Sequence, residues 1–272
     1  MLLLLDNGSL APAATLSLRR IAQALAVRLQ REVHPVSLLH SQKIPAEQLE
    51  GIPATNLEPF LKRQLEAGRH SFEVIPLFFG PSGALTDYLP ERLAGLRQKW
   101  PRLELRLAPC LAGNRGEDSP VLARLLADQV RETLAGLPAA EREGAQVILT
   151  DHGSPKRELG TLRDTLARLL AEELGSLVAG VQPASMERRP EPDYDFNEPL
   201  LERALAQPGF HQGNTIISLL FLSPGRHAGP GGDIATICAE ACKRHPGLHT
   251  VMTPLVGSHP GLIDLLARRA TR

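Results

Sequence analysis

The amino-acid sequence repeats itself, and this internal duplication limits the folds open to the chain more than any other feature does. Matching segments recur at an offset of 145 residues, and one segment between them recurs at 143, so the copies differ by a short gap. Self-similarity of this kind predicts two copies of one structural unit. The matched pairs are residues 6–9 with 151–154, 76–79 with 219–222, 100–103 with 245–248, and 108–109 with 253–254.

Each copy alternates short apolar runs with longer amphipathic segments, a pattern typical of a parallel sheet covered by helices on both faces. The sequence therefore predicts an α/β fold with four strands in each copy. The predicted strands are residues 2–5, 33–39, 72–79, 103–108, 147–150, 177–181, 215–222 and 249–253. The predicted helices are residues 13–31, 57–67, 89–100, 120–134, 159–174, 198–206, 233–243 and 260–268, with Asp233 as an N-cap.

The boundary between the copies is predicted within residues 136–144, where Gly, Pro, Ala and charged residues interrupt the apolar periodicity. This gives an N-terminal repeat of residues 1–138 and a C-terminal repeat of residues 144–272. The opening run MLLLL lacks the basic residues and cleavage site of a signal peptide, so we expect it to form a buried strand.

Composition excludes several classes of protein. The chain has 272 residues with 43% hydrophobic content, which is enough to bury a sizeable core. Its formal net charge is zero, so no overall charge draws it to nucleic acid or to a membrane surface. No apolar run approaches the ~20 residues of a spanning helix, and three cysteines are compatible with a reducing compartment. We expect a cytoplasmic protein without a nucleic-acid or membrane partner.

Histidines follow two predicted strands of the second copy. His152 follows the first strand and His227 follows the third, and the carboxyl ends of parallel strands converge on one crevice. Neutral imidazole suits divalent Co²⁺, Ni²⁺, Fe²⁺ or Zn²⁺, and it also accepts protons near neutral pH. The alternative is a pair of turn histidines with no role. At the equivalent strand ends the first copy carries Asn7 and one of Ser82, Gly83 or Ala84. A metal site is therefore predicted only in the second copy.

An ordered set of motifs gives a family resemblance. The strand ending in His-Gly-Ser, the Leu-Phe-Leu strand with its Gly-Arg-His turn, and the later His-Pro-Gly and Pro-Leu-x-x-x-His-Pro segments resemble the sirohydrochlorin cobaltochelatases and ferrochelatases. The chain is similar to a tandem-duplicated form of these class II, CbiX-like tetrapyrrole chelatases. The motifs occupy residues 147–154, 220–227, 233–234, 245–247 and 254–260.

The resemblance implies two chelatase-like domains, each with a parallel four-stranded sheet flanked by helices, facing across a central cleft. It implies a metal site in the C-terminal repeat and a degenerate one in the N-terminal repeat, where Asn7 replaces histidine. His152 and His227 would handle the metal, and Glu187 would assist the metal or the protons. A surface carboxylate before two arginines is the alternative interpretation of Glu187.

The implied reaction is the insertion of a divalent metal into sirohydrochlorin, a lyase-type step toward cobalamin or sirohaem that needs no nucleotide. Co²⁺ is the expected metal substrate, with Fe²⁺ or Ni²⁺ as alternatives. Arg226, Ser154 and Gly225 are expected to contact the carboxylate-rich tetrapyrrole, with Lys156 and Arg157 as further cations. These basic residues are equally compatible with solvated surface charge.

Two other functions remain open at this point. A non-catalytic carrier of a tetrapyrrole or metal fits the loss of histidine from the first copy, and a hydrolase using His152 and Ser154 would lack a nucleophile elbow. Cys238 and Cys242 share a helix face, where two small core residues are favoured over a soft-metal site. His245 and His259 are interpreted as structural. Internal duplication can replace a dimer, so we expect a monomer.

Overall fold

The computed structural model describes residues 1–270 and contains two four-stranded parallel sheets. The first sheet has the order β2-β1-β3-β4 and the second has the equivalent order β6-β5-β7-β8, which confirms the predicted α/β fold with two similar domains. The strands are β1 (Leu2–Asp6), β2 (Val33–Ser37), β3 (Ser71–Pro76), β4 (Glu104–Leu107), β5 (Gln146–Asp151), β6 (Gly180–Ser185), β7 (Gly213–Leu219) and β8 (Leu248–Met252).

Helices lie between and after the strands. They are α1 (Pro12–Leu29), α2 (Leu57–Glu66), α3 (Leu89–Lys99), α4 (Ser119–Gly136), α5 (Ala139–Arg142), α6 (Arg157–Leu174), α7 (Leu201–Ala204), α8 (Asp233–Arg244) and α9 (Gly261–Ala270). A π-helical turn, Ala84–Tyr88, precedes α3, and a 3-10 segment, Pro192–Asn197, follows β6. None of the helices within residues 1–270 combines the length and hydrophobicity that a bilayer crossing requires.

The first strand of each sheet along the chain, β1 or β5, is an inner strand and lies in the core. All four leucines of β1 and residues 147–149 of β5 are buried, as expected for parallel strands covered on both faces. The opening run therefore forms the predicted strand. Because β1 and β3 are neighbours, as are β5 and β7, the carboxyl ends of each pair lie at one edge of their sheet.

Beyond shifts of up to three residues at the ends of other elements, two predicted elements differ from the structure. The strand expected at residues 177–181 is β6 at Gly180–Ser185, because Gly175–Leu177 form a 3-10 turn after α6 and pairing with β5 begins at Gly180. As an edge strand, β6 tolerates Pro183, which obscured it in the sequence. The helix expected from residue 198 begins only at Leu201, because Leu200 is still extended and bridges to Ser185.

The chain divides into two compact units that exchange their last helices. Unit 1 contains Met1–Arg115, Ser223–Gly225 and the segment that begins at Pro260, while unit 2 contains Gly116–Leu222 and Arg226–His259. Helix α4 follows the first sheet in sequence but packs on α6 and β7 of unit 2. Helix α9 follows the second sheet but packs on α1 and β3 of unit 1. The boundaries of the sequence repeats, 1–138 and 144–272, stay a prediction.

Buried polar side chains fix both exchanged helices. Gln129 of α4 is buried, and its Nε2 donates a hydrogen bond to the carbonyl oxygen of Leu255 at 2.9 Å. Arg269 of α9 is fully buried, and its Nη2 donates to the carbonyl oxygen of Leu111 at 2.7 Å. Since buried polar groups are costly to leave unpaired, these bonds specify where each helix docks.

Candidate metal site of the second unit

The structure brings the two predicted histidines together. His152 lies in the turn after β5 and His227 in the loop after β7, and their ring centroids are 4.5 Å apart in an edge-on arrangement. The His152 side chain is 44% exposed and the His227 side chain 32% exposed, so both rings remain open to solvent. These two residues lie 75 positions apart in the sequence, and they come together because β5 and β7 are neighbouring strands.

A tight turn holds His152 and brings Glu187 beside it. Gly153 has φ +92°, and a Cβ there would lie 1.9 Å from the carbonyl oxygen of Glu187, so only glycine fits. The Glu187 amide donates to the carbonyl oxygen of His152 at 3.1 Å, which ties the turn after β6 to the turn after β5. Oε1 of Glu187 then lies 3.4 Å from Nε2 of His152.

Hydrogen bonds fix the protonated ring nitrogen of both histidines. Nδ1 of His152 is 3.1 Å from the carbonyl oxygen of Gly153, and Nδ1 of His227 is 2.7 Å from Oδ2 of Asp233. A carbonyl oxygen or carboxylate only accepts, so we assign the His227 ring proton to Nδ1, and we assign the His152 proton to Nδ1 because the Gly153 oxygen is closer to the ring than the Glu187 carboxylate, 3.1 Å against 3.4 Å. Each Nε2 is then left with a lone pair that can bind a metal ion.

The spacing of the rings suits a shared divalent ion. A tetrahedral ion held by both Nε2 atoms would place the ring centres about 5 Å apart, close to the 4.5 Å observed. Within residues 1–270, no group of three or more His, Cys, Asp or Glu side chains is arranged as a complete metal cage. A pair of imidazoles leaves coordination positions open, which suits an ion that is transferred rather than retained.

A buried hydrogen-bond network stabilises the turn that carries His152. Oδ1 of Asp151 accepts hydrogen bonds from the Gly153 amide at 3.1 Å and from the Ser185 hydroxyl at 2.6 Å. Arg163 of α6 is 1% exposed and donates to Ser185 and, at 3.2 Å, to the carbonyl oxygen of Asn197. Burial raises the pKa of Asp151, while the Ser185 hydrogen bond and the Arg163 charge act against this rise.

The residues predicted to contact the tetrapyrrole have different surroundings. Arg226 is 84% exposed, and its Nε lies 3.5 Å from Oδ2 of Asp233. The Ser154 hydroxyl accepts a hydrogen bond from the Lys156 amide at 3.0 Å, so it already stabilises its own turn. Gly225 belongs to compact unit 1 and lies beside Ser9 there. Their contacts with a tetrapyrrole stay a prediction.

Two polar residues of the site were not predicted from the sequence. Asp233 is the first residue of α8 rather than its N-cap, which is Gly232, and its carboxylate bonds to His227 instead of capping the helix. Arg163 occupies an inward position of α6 where apolar periodicity predicts a hydrophobic residue. The only signals in the sequence were an arginine within an apolar stripe and an acidic residue shortly after His227.

The first unit repeats the same backbone without the same chemistry. The Leu39 amide bonds to the carbonyl oxygen of Asn7, as the Glu187 amide bonds to that of His152. The β3 and β7 registers align at the 143-residue offset and the later segments at 145, so Ser82, Gly83 or Ala84 takes the place of His227. The imidazole pair and its carboxylate are therefore specific to unit 2. The corresponding pairs are Asn7 and His152, and Leu39 and Glu187.

The two cysteines of α8 lie in a packed environment. Cys238 is buried in the core of unit 2, and burial raises the pKa of its thiol to about 12. Sγ of Cys242 lies 3.6 Å from the Thr250 hydroxyl. A buried thiol with a raised pKa is a poor metal ligand at neutral pH, which favours the interpretation of these cysteines as core residues.

The sequence matches known chelatases over its second half. Residues 146–272 match the CbiX family. A curated relative, the chloroplastic sirohydrochlorin ferrochelatase of Arabidopsis thaliana, is 30% identical over 126 residues, which cover 45% of this chain and 50% of the relative. The chain therefore spans about half the length of the curated relative that it matches.

Solved structures match both halves of the chain. SirB from Bacillus subtilis with Fe³⁺ has a TM-score of 0.71 at 15% identity, covering 99% of this chain and 93% of SirB. The sirohydrochlorin chelatase SirB from Bacillus subtilis subspecies spizizenii, in complex with cobalt, has a TM-score of 0.67 at 13% identity, with the same coverage of 99% and 93%. At these identities the likeness shows the fold.

The fold and the site define a class of protein: a duplicated α/β chelatase fold with one histidine pair at a strand-end corner. The repeat that carries this pair, residues 146–272, is similar to the CbiX family of chelatases.

Proposed function

We propose that this chain inserts a divalent metal ion into sirohydrochlorin at the histidine pair of unit 2. The observation that carries the proposal is the 4.5 Å separation of the His152 and His227 rings, each with Nδ1 engaged and Nε2 left as a ligand. The sirohydrochlorin ferrochelatase and chelatases among the similar proteins support this substrate for the chain.

The reaction exchanges one M²⁺ for two pyrrole N–H protons, so the site must deliver a metal and accept protons. The Nε2 atoms of His152 and His227 would hold the incoming ion. Glu187 lies 3.4 Å from Nε2 of His152 and its side chain is 60% exposed, so its carboxylate can take a released proton and pass it to water. Two imidazoles and one carboxylate thus cover both requirements on one edge of the sheet.

Co²⁺ is the proposed physiological metal, with Fe²⁺ or Ni²⁺ as alternatives. Imidazole nitrogen binds all three, and affinity alone does not select among them in a cell. The solved chelatases of similar fold hold Fe³⁺ in one case and cobalt in another, which supports a metal of this group.

Cationic groups at the site would meet the carboxylates of the tetrapyrrole. Arg226 is exposed beside the histidine pair and can form charge-assisted hydrogen bonds with a substrate carboxylate. Ser154 and Gly225 are proposed as further contacts with the ring, Ser154 through the turn that carries His152. Because these residues bind the substrate, their replacement should raise KM more than it lowers kcat.

The test is the anaerobic absorbance of sirohydrochlorin mixed with Co²⁺ and the intact chain. We expect a catalysed spectral change over many turnovers, reduced at least ~100-fold in His152→Ala and in His227→Ala through loss of a ligand and proton acceptor. The matched control is His249→Ala, which removes an exposed histidine of β8 and should leave the rate unchanged.

A carrier is the second candidate function, favoured by the absence of the imidazole pair from the matching corners of unit 1. A carrier would give a spectral shift that stops at one equivalent of protein. That outcome, or a normal rate in both histidine variants, would contradict the chelatase proposal.

A further inference from the structure

We propose that Asp233 is a positioning residue that holds His227 in the tautomer able to bind the metal. This inference rests on the proposed function, because it assigns a role within the same site. Oδ2 of Asp233 lies 2.7 Å from Nδ1 of His227, closer than the 3.1 Å and 3.4 Å that separate His152 from its two polar neighbours. The bond fixes the proton on Nδ1 and leaves the lone pair on Nε2.

The backbone places Asp233 for this contact independently of its side chain. The Asp233 amide donates to the carbonyl oxygen of Arg226 at 3.2 Å, and the Ile234 amide donates to that of His227 at the same distance. A Cβ on Gly232 would lie 2.8 Å and 2.9 Å from those two carbonyl oxygens, so the loop closes tightly onto the start of α8. The carboxylate and the imidazole therefore meet through a short, constrained loop.

The two histidines differ in how they are oriented. Nδ1 of His152 bonds to the backbone oxygen of its neighbour Gly153, whereas His227 depends on a side chain. A neutral imidazole without such a partner populates both tautomers, and the form protonated on Nε2 cannot bind a metal through that atom. Loss of Asp233 should therefore weaken one ligand of the pair and leave the other intact.

Arg226 shares the carboxylate with His227. Its Nε lies 3.5 Å from the same Oδ2 that accepts the His227 proton, and its side chain is 84% exposed. This weaker, solvated contact leaves the guanidinium able to turn toward a substrate carboxylate while His227 keeps its bond. Asp233 thus connects the proposed metal ligand with the proposed tetrapyrrole contact.

The experiment measures Co²⁺ binding to the full-length chain without tetrapyrrole, together with the histidine tautomers by ¹⁵N NMR. Asp233→Asn preserves shape but can donate as well as accept, so it no longer enforces one tautomer. We expect the affinity for Co²⁺ to fall about 10- to 100-fold, as is typical when a metal-binding histidine loses its hydrogen-bond partner. His227 should show a mixture of tautomers, and His152 should be unchanged.

The matched control is Glu158→Gln, which removes an acidic residue from the first turn of α6, as Asp233→Asn does for α8. It corrects for the loss of a favourable charge at a helix N-terminus. An unchanged Co²⁺ affinity and a single Nδ1-protonated His227 in Asp233→Asn would overturn the inference. If His227→Ala also leaves Co²⁺ affinity unchanged, the proposed function itself fails, so the two failures are distinguishable.

Discussion

Two buried aspartates at equivalent positions differ in whether a charged side chain lies beside them. Asp151 in unit 2 is supported by the buried guanidinium of Arg163. Asp6 in unit 1 has the same place at the end of the first strand, but Leu18 stands where the other repeat has arginine. Burial raises the pKa of Asp6 to about 6, with only hydrogen bonds from Ser37 and the nearby backbone acting against it. The first repeat therefore carries a buried acid without a compensating charge.

Asp6 should make the stability of the chain depend on pH. Because its pKa rises from 3.8 to about 6 on folding, the folded state binds more protons between these pH values. The free energy of unfolding should then fall as pH rises through this window, by up to ~3 kcal/mol. Asp6→Asn should remove this slope and stabilise the chain at pH 7 by about 1–3 kcal/mol.

Urea unfolding at pH 4.5, 5.5 and 7 would measure the effect. Asp193→Asn, a change at an exposed residue of a 3-10 segment, is the matched control and should keep the wild-type slope. An Asp6→Asn chain with the wild-type pH dependence would show that this carboxyl is ionised in the folded state.

The sequence predicted the two histidines of the site from the strands that they follow. His152 and His227 follow strands that the apolar runs define, so their convergence could be predicted. The partnership of Asp233 with His227 could not, because it depends on the conformation of a glycine-rich loop rather than on any period. The role of Arg163 could not be predicted either, because helix periodicity assigns its position to the core, where a hydrophobic side chain is expected.

At the scale of elements, the turn after β5 determines the geometry of the site. Gly153→Ala should destabilise unit 2 by more than ~2 kcal/mol, because it combines a left-handed backbone angle with a clash against a carbonyl oxygen. It should also weaken Co²⁺ binding, since the clash separates His152 from Glu187. Thermal unfolding and a Co²⁺ titration would measure the two effects.

Gly144→Ala separates backbone strain from the clash. Gly144 also has a positive φ, +71°, but no atom lies within 4 Å of the Cβ that alanine would add. We expect a loss of about 1 kcal/mol or less from strain alone and an unchanged affinity for Co²⁺. Equal effects of the two substitutions would mean that the clash at Gly153 does not shape the site.

Most strands were predictable from their apolar runs, which are longest and most buried in β1 and β5. The exception, β6, lies at an edge and contains Gln182, Pro183 and Ser185, so tertiary pairing rather than hydrophobicity determines its bounds. The exchange of α4 and α9 was not predictable either, because both helices have ordinary amphipathic sequences that do not specify which sheet they cover.

At the scale of the whole molecule, the exchange predicts which fragment folds. Residues 116–259 retain α4 on α6 and omit α9, whereas residues 144–272 lack α4 and leave α9 without α1. We expect the first fragment to melt cooperatively and the second to expose the apolar face of α6 and aggregate. Circular dichroism melts and sedimentation of the two fragments would compare them, and equal cooperativity would contradict the exchanged arrangement.

The helix exchange also constrains how the protein can evolve. A deletion that removed the first repeat would also remove α4, and the repeat with the histidine pair would lose part of its own core. The second repeat therefore needs the first for its fold, even though Asn7 and Leu39 occupy the positions of His152 and Glu187. Neither copy can then be lost without uncovering core surface of the other, because each copy supplies a helix to the other's compact unit.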